Sequence, residues 1–497
     1  MNGFPLLTVI VFLPLLGGLF VLAWPERPGL SRFLSLAVTL ADLVLVLVLF
    51  LPGTRNAAGP WLRVEDYTWI PSAGIRYTLA ADGLSLMLLL LTAFLGVLCV
   101  LVSWKHIGEK VRAYHFFLLV TLTGILGVFV ALDLFLFYLF WEVQIIPMFF
   151  LVGIWGHEGR TRTTMKFVLF TMAGSLFMLI AVIGLYVIHG RQTGTYTFSL
   201  ASLMETSLPG GVQGWLYAAF MLSFGIKIPV VPVHTWLPDT HTQAPTAGSV
   251  ILAGLLLKTG AYAVFRFALP LFPVAFRESV PVLVVLGLIA LFYASWIALS
   301  QVDMKRLVAY SSIAHMGLVV LGLAVLNSIT LSGSLLQMIN HGVSTSALFI
   351  LVGMLGERAH SRQFKDFGGL WKKMPVFSAF FLFFSMAALG LPGLNNFVGE
   401  ILILIGTYRM NPVAAAFGFA GLLFGVIYVL RMVQDALFGE LKGDESALMD
   451  LDSREIVILG TLALGVLFLG LWPKPVLGLF QEPVNGLIKV MMSHGAT

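Results

Sequence analysis

The sequence predicts an all-α polytopic membrane protein of about fourteen transmembrane helices, and three observations carry that prediction. Of the 497 residues, 59% are hydrophobic and only 11% are charged, against roughly 45–50% and 25% in soluble domains. The apolar residues gather in runs of about twenty, the length a helix needs to cross a bilayer. The basic residues are shared unequally between alternate connections, as the positive-inside rule requires of a chain that crosses back and forth.

The first run, Phe4–Trp24, has no basic segment before it and is long enough to span, so it reads as a helix and not as a cleaved signal. Further apolar segments lie at about 31–52, 80–104, 115–132, 134–155 and 164–189. The fourth and fifth of the series are separated only by Asp133. The seventh, at about 213–236, contains Lys227 with Pro229 and Pro232 close behind it, and reads as a broken helix. Segments at about 243–269, 279–300, 306–326 and 331–356 follow. The twelfth, 376–408, is longer than a span requires and holds Leu391-Pro392-Gly393, so it too reads as broken. Segments at 412–438 and 456–478 complete the set. The longest polar stretches, 53–79, 357–375 and 439–455, read as loops, and no soluble domain fits between the helices.

Charge placement supports this order. Connections after odd-numbered helices carry eighteen Lys and Arg residues, Lys305 among them; the opposite side carries nine, including Arg55, Arg266 and Arg277. Lys227 and Lys258 are the remaining two of 29. The odd loops are therefore expected in the cytoplasm and both termini outside, in a multi-pass protein of the cell's inner membrane. A net charge of +5 reflects loop anchoring and not nucleic-acid binding. Cys99, the single cysteine, excludes an internal disulfide and a cysteine-rich zinc or iron–sulfur site.

The two broken helices stand five segments apart, each with an ionisable residue near its break: Lys227 before Pro229, and Glu400 after Pro392. Paired interrupted helices at matching positions point to inverted repeats. Helices 4–8 and 9–13 are the expected repeats, dividing the chain into 1–114, 115–272, 273–440 and 441–497.

Four charges fall at membrane depth: Glu142, Lys227, Lys258 and Glu400. Each costs roughly 2.5–3.5 kcal/mol there unless paired or facing a hydrated interior. Burial favours the neutral form of such a group and an opposite charge favours the ionised form, so a lysine held between the two can change protonation as its neighbour moves. A static ion pair bracing two helices is the alternative for any one of them; four charges beside two broken helices favour proton handling. His315 and His341 lie inside apolar helices and suit a relay, since histidine titrates near neutrality; a neutral histidine bonded to a carbonyl is the plainer reading. His234 and His241 flank the first break, where proton uptake and simple loop structure are equally open. Histidine spacing for a metal, phosphate-binding glycine loops and a nucleophilic triad are all missing from the sequence. The many phenylalanines read as lipid and packing surface, not as a quinone pocket.

The motifs WEVQIIPMFFLVGIWG (141–156), GIKIPVVPVHTWLPDTHTQAPTAGSVILAGLLLKTGAY (225–262), DMKRLVAYSSIAHMG (303–317), QMINHGVSTSALFILVG (337–353) and LGLPGLNNFVGE (389–400) carry a resemblance. The chain resembles, nearly end to end, the antiporter-like membrane subunits of the proton-pumping NADH:quinone oxidoreductase, respiratory complex I. Glutamate at position 400, where the sister subunits usually have lysine, and Trp141-Glu142 followed by Ile146-Pro147-Met148 place the resemblance with the subunit M family. The resemblance implies roles: Glu142 and Lys227 as a charge pair modulating pumping, Lys258 as central proton carrier, His315 and His341 along a hydrated axis, and Glu400 as exit-side carrier. It implies no cofactor in this chain, with NADH, FMN, iron–sulfur clusters and a quinone in other subunits. Its expected partners are sister antiporter-like subunits on both sides and the lipid bilayer, with no nucleic acid. Subunits of multi-subunit cation/proton antiporters and of energy-converting hydrogenases share the motifs and are the alternative; copurification with flavin and iron–sulfur subunits discriminates.

Overall fold

A computed structural model describes residues 4–25, 27–51, 60–442 and 448–493. Arg55 and the two chain ends, whose side of the membrane the charge pattern predicts, lie outside the described residues. The described chain is overwhelmingly helical. In order come α1 (Leu6–Ala23), α2 (Pro28–Val48), α3 (Gly83–His106), α4 (Val111–Val128), α5 (Leu134–Trp155, with a bend at Gln144), α6 (Arg160–Thr193), α7 in two halves (Gly210–Lys227 and Trp236–Gln243), α8 (Thr246–Leu271), α9 (Pro273–Leu299), α10 (Met304–Ala324), α11 (Ser328–Ala359), α12 in two halves (Pro375–Ala388 and Asn395–Met410), α13 (Pro412–Leu437), α14 (Ser453–Leu471) and α15 (Lys474–Ser493). Twelve helices among the described residues are long and apolar enough to cross a membrane. α7 and α12, the two read as broken, are outside that dozen because their breaks leave each piece short or less apolar. The chain is membrane-embedded.

Polar residues decide where several helices start. Asp82, Asp133, Asp303, Asn327, Asn411 and Asp452 accept backbone N–H bonds at the N-termini of α3, α5, α10, α11, α13 and α14, satisfying donors that an apolar medium would leave unmet. Asp133, the only separator between the fourth and fifth apolar segments, earns that split by accepting from Phe135 and Leu136.

Three details depart from the expected plan. The stretch read as a loop before α3 contains an antiparallel hairpin, β1 (Arg63–Ile70) and β2 (Ile75–Ala81), with Arg63 opposite Ala81 and Ile70 opposite Ile75. Its alternation is too short and polar to stand out beside long apolar runs. α15 was not expected; its polar and apolar residues alternate around the helix, so it lies on the bundle as an amphipathic element. Arg266, assigned to an outer connection, is inside α8, buried and paired with Asp82 at 2.5 Å over the Trp61 ring.

The helices sort by depth. α8, α10 and α11 are almost wholly surrounded by protein, whereas α1, α2, α6, α9, α13 and α14 show about two thirds of their length to the outside. The buried trio carries Lys258, His315 and His341.

Candidate functional site

Lys258 sits mid-way along α8, fully buried, between two wide π-type turns at Leu252–Leu256 and Val264–Ala268. Such turns displace the regular backbone pairing and recur at functional sites. The Lys258 amine donates to the carbonyl of Ala253, within the first wide turn, and lies 2.6 Å from Nδ1 of His341 on α11. Two positive charges at that separation would repel by about 6 kcal/mol even at an effective dielectric of 20. The pair therefore holds at most one positive charge, with a hydrogen bond in place along which a proton can move.

From His341 the next step is His315 on α10, at 5.5 Å between ring centroids. His315 Nδ1 is in turn 3.3 Å from Oε1 of Glu400 on the second half of α12. Gln337, one turn before His341, donates to the same carboxylate oxygen at 3.4 Å. These four predicted residues are at most 5% exposed, and together they run from α8 through α11 and α10 to α12. The α12 break presents Glu400 to this line. Gly390 there has a φ of +77°, and a Cβ on it would strike the Glu400 carboxylate. A small cavity of about 10 Å³, lined by Ser295, His315, Glu400 and Tyr428, has room for about one water.

Lys227 ends the first half of α7 and is 1% exposed. Lys227 and Glu142, the charge pair the resemblance implies, are not in direct contact. Among the described residues, Lys227 Nζ and Glu142 Oε1 each lack a hydrogen-bond partner. The ammonium sits instead on the face of Trp141, 5.1 Å from the ring centre, a cation–π arrangement. Glu142 is only partly buried and is close to Tyr138, one helical turn earlier, while its field reaches Lys227 across the gap. The two interact through space. Gly260 links this pair to the line, because a Cβ there would come within 2.8 Å of the Ile228 side chain and 3.1 Å of the Lys227 Cβ. The absence of that carbon lets the α7 break rest on α8, two residues from Lys258.

Three further residues belong to this interior. His241 is fully buried and stacked on Phe349 at 4.4 Å, with both ring nitrogens unpartnered and with Lys258 and His341 in its electrostatic surroundings. Its sequence position beside a break left proton uptake and loop structure equally open; the structure buries it in the second half of α7. His234 instead packs edge-on against Tyr293. Lys305, counted as a cytoplasmic anchor, is buried and donates to the Ala244 carbonyl at 2.6 Å. Tyr428 on α13 is buried beside Glu400 and Ser311; a tyrosine in the apolar run 412–430 was the one available signal.

Beyond Lys305 the interior opens into a polar cavity of about 890 Å³ at the α7–α8 junction. Its wall includes Gln243, Lys305, an Arg362–Asp303 pair at 3.4 Å and a His106–Glu357 pair at 2.6 Å. Among the described residues no group of three or more His, Cys, Asp or Glu could hold a metal ion.

Comparison with known proteins gives the family. Residues 131–425 match the family described as NADH:quinone oxidoreductase/Mrp antiporter, TM. The chain is 44% identical to NADH-quinone oxidoreductase subunit M of Pseudomonas aeruginosa over 493 residues, covering 96% of each. It is 44% identical to subunit M of Escherichia coli K12 over 497 residues, covering 97% of each. A chain in the structure of respiratory complex I from Thermus thermophilus with bound NADH superposes with a TM-score of 0.89 at 32% identity, covering 98% of this chain and 99% of that one. The chain therefore belongs to the NADH:quinone oxidoreductase/Mrp antiporter membrane family and, within it, to subunit M of NADH-quinone oxidoreductase.

Proposed function

We propose that this chain moves protons across the membrane as an antiporter-like subunit of an NADH:quinone oxidoreductase, along Lys258, His341, His315 and Glu400. One observation carries the reading: these four buried groups form a continuous file with a polar cavity near its α8 end. A proton taken up through the cavity past Lys305 and His241 reaches the Lys258 amine. It passes to His341 along their hydrogen bond, then to His315, and leaves from Glu400. Lys227 governs the first step. A shift of its ammonium toward Glu142 removes positive charge from beside α8 and favours a protonated Lys258; its return favours proton release. No electron passes through this chain in this reading. NADH, flavin, iron–sulfur clusters and quinone belong to other subunits, and sister antiporter-like subunits flank the chain on both sides.

The same reading takes α1–α14 as fourteen crossings and α15 as a surface helix. α4–α8 and α9–α13 are inverted repeats, with divisions near 114, 272 and 440, and the breaks of α7 and α12 are equivalent positions. The Lys- and Arg-rich connections face the cytoplasm, in the inner membrane, and both termini lie outside.

The test uses the assembled complex in sealed vesicles. Glu142→Gln, Lys227→Ala and Glu400→Gln are each expected to lower NADH:quinone turnover and proton uptake by about tenfold or more, the scale of losing a positioned proton-transfer group. NADH oxidation by a soluble artificial acceptor should stay at the parental rate. Coupled turnover that survived all three substitutions would refute the relay.

A further inference from the structure

The polar cavity draws its wall from five connections. Ile107 comes from α3–α4, His157 from α5–α6, Pro245 from α7–α8, Asp303 from α9–α10 and Arg362 from α11–α12. All five follow odd-numbered helices, so the cavity is on the Lys- and Arg-rich side of the chain. A space this large and polar holds water. His106, the last residue of α3, and Glu357, near the end of α11, both line it. Nε2 of the one is 2.6 Å from Oε2 of the other, with 29% and 27% of the side chains exposed. The second carboxylate oxygen, Oε1, accepts from the hydroxyl of Thr246, the first residue of α8, at 3.3 Å. Lys305 and Gln243 line the same cavity, and Gln243 is two residues from the buried His241.

As a brace between α3 and α11, any ion pair would serve. The wall's other pair, Arg362–Asp303, has a guanidinium that keeps its proton, whereas histidine is the side chain that exchanges one near neutral pH. The other wall histidines, His157 and His360, are in no ion pair among the described residues. We propose that His106 and Glu357 are the proton-collecting pair of this subunit, the first groups on the way to Lys258. The proposal rests on the proton line described above and names where that line is filled. With Nε2–H donating to Glu357, Nδ1 of His106 takes a proton from cavity water, and the carboxylate stabilises the resulting cation. The proton then leaves Nδ1 for water on the Lys305 side and the neutral imidazole returns. One N–H bond forms and breaks in each cycle, and the Thr246 hydroxyl keeps the carboxylate turned toward α8.

The experiment uses the assembled complex in proteoliposomes, with subunit composition and NADH oxidation by a soluble acceptor reporting assembly. His106→Arg keeps the ion pair and removes the exchangeable proton; it should lower NADH:quinone turnover about tenfold or more. His106→Gly should lose as much and regain turnover several-fold with added imidazole, each rate taken relative to the parent at the same imidazole concentration. His360→Gly, on the same wall, should keep parental turnover with and without imidazole. Glu400→Gln, which breaks the line itself, should stay slow at every imidazole concentration. Parental turnover in His106→Arg, or a loss in His106→Gly that imidazole does not relieve, would make the pair a brace and overturn the proposal. Equal loss and rescue in His360→Gly would spread the role over the wall and overturn it too. In either case a slow Glu400→Gln would leave the proton line standing, and a Glu400→Gln at the parental rate would bring that line down as well.

Discussion

The proposed relay turns on whether Lys258 supplies a charge or a transferable proton, and its geometry separates the two. Its amine meets His341 Nδ1 at 2.6 Å, and lysine can give up its proton in an environment that disfavours the charge, whereas arginine cannot. Lys258→Arg is therefore expected to abolish proton uptake while keeping the positive charge. Normal pumping by that variant, measured in vesicles, would make Lys258 a counter-charge only. A second residue-scale prediction concerns Asp133, which is outside the spans and fully buried. Desolvation pushes its carboxyl up to about 6, against the opposing pull of the Leu136, Arg76 and Phe135 backbone N–H groups and the Arg76 charge. A carboxyl whose folded pKa exceeds its unfolded value binds more protons when folded, so its contribution is present below about pH 4 and is lost as pH rises through 6. The loss is on the order of 1–3 kcal/mol. Asp133→Asn should remove this dependence, so its melting temperature relative to the parent should climb between pH 4 and 7; a constant difference would contradict the assignment.

At the scale of elements, the breaks of α7 and α12 do different work. The α12 break uses Gly390, in a conformation that favours glycine, to bring the chain close to Glu400. The α7 break is held against α8 by the missing side chain at Gly260. Gly260→Val would push the break away from α8 or strain both helices, at a cost of about 1–3 kcal/mol. It should slow coupled turnover as well as lower the melting temperature, because the Lys227 ammonium moves relative to Lys258. A variant that lost stability and kept its turnover would show that the spacing of the two lysines is not critical. Proline and glycine made both breaks legible in the sequence. The two wide turns around Lys258 were not: Gly254 lies within the first, but a lone glycine in an apolar helix is ordinary, and the second has no breaker residue.

At the scale of the whole molecule, α14 is tied to the bundle by charges at its start. Arg358 at the end of α11 meets Glu455 at 2.5 Å, with the carboxylate buried, and Lys105 at the end of α3 meets Asp452 at 2.7 Å. Removing the cation from a buried pair costs up to about 3–5 kcal/mol, and less here because Glu455 keeps the Asp452 backbone N–H at 2.9 Å and Arg454 at 3.9 Å, while an exposed pair contributes little. Arg358→Met should therefore destabilise the subunit far more than Lys105→Met in thermal unfolding of the purified complex. Similar losses from the two would mean that Glu455 is not isolated from solvent. The same contrast explains a misreading: Lys305 and Arg266 counted as surface anchors because sequence position records how near a span's end a charge lies, not whether a neighbouring helix covers it.

Composition and run length by themselves determined that this chain is helical and membrane-embedded, because a backbone in hydrocarbon must satisfy its hydrogen bonds internally. The energetic cost of burying charge singled out Glu142, Lys227, Lys258 and Glu400. The resemblance carried by the quoted motifs gave the family. Only the tertiary structure decided which helices are central, since a helix covered by lipid and one covered by other helices have similarly apolar sequences. It also brought Lys258, His341, His315 and Glu400 into one file, separated Lys227 from contact with Glu142, and drew in His241, Lys305 and Tyr428. Those outcomes depend on distances between helices far apart in the chain, and the field at each charge depends on those distances.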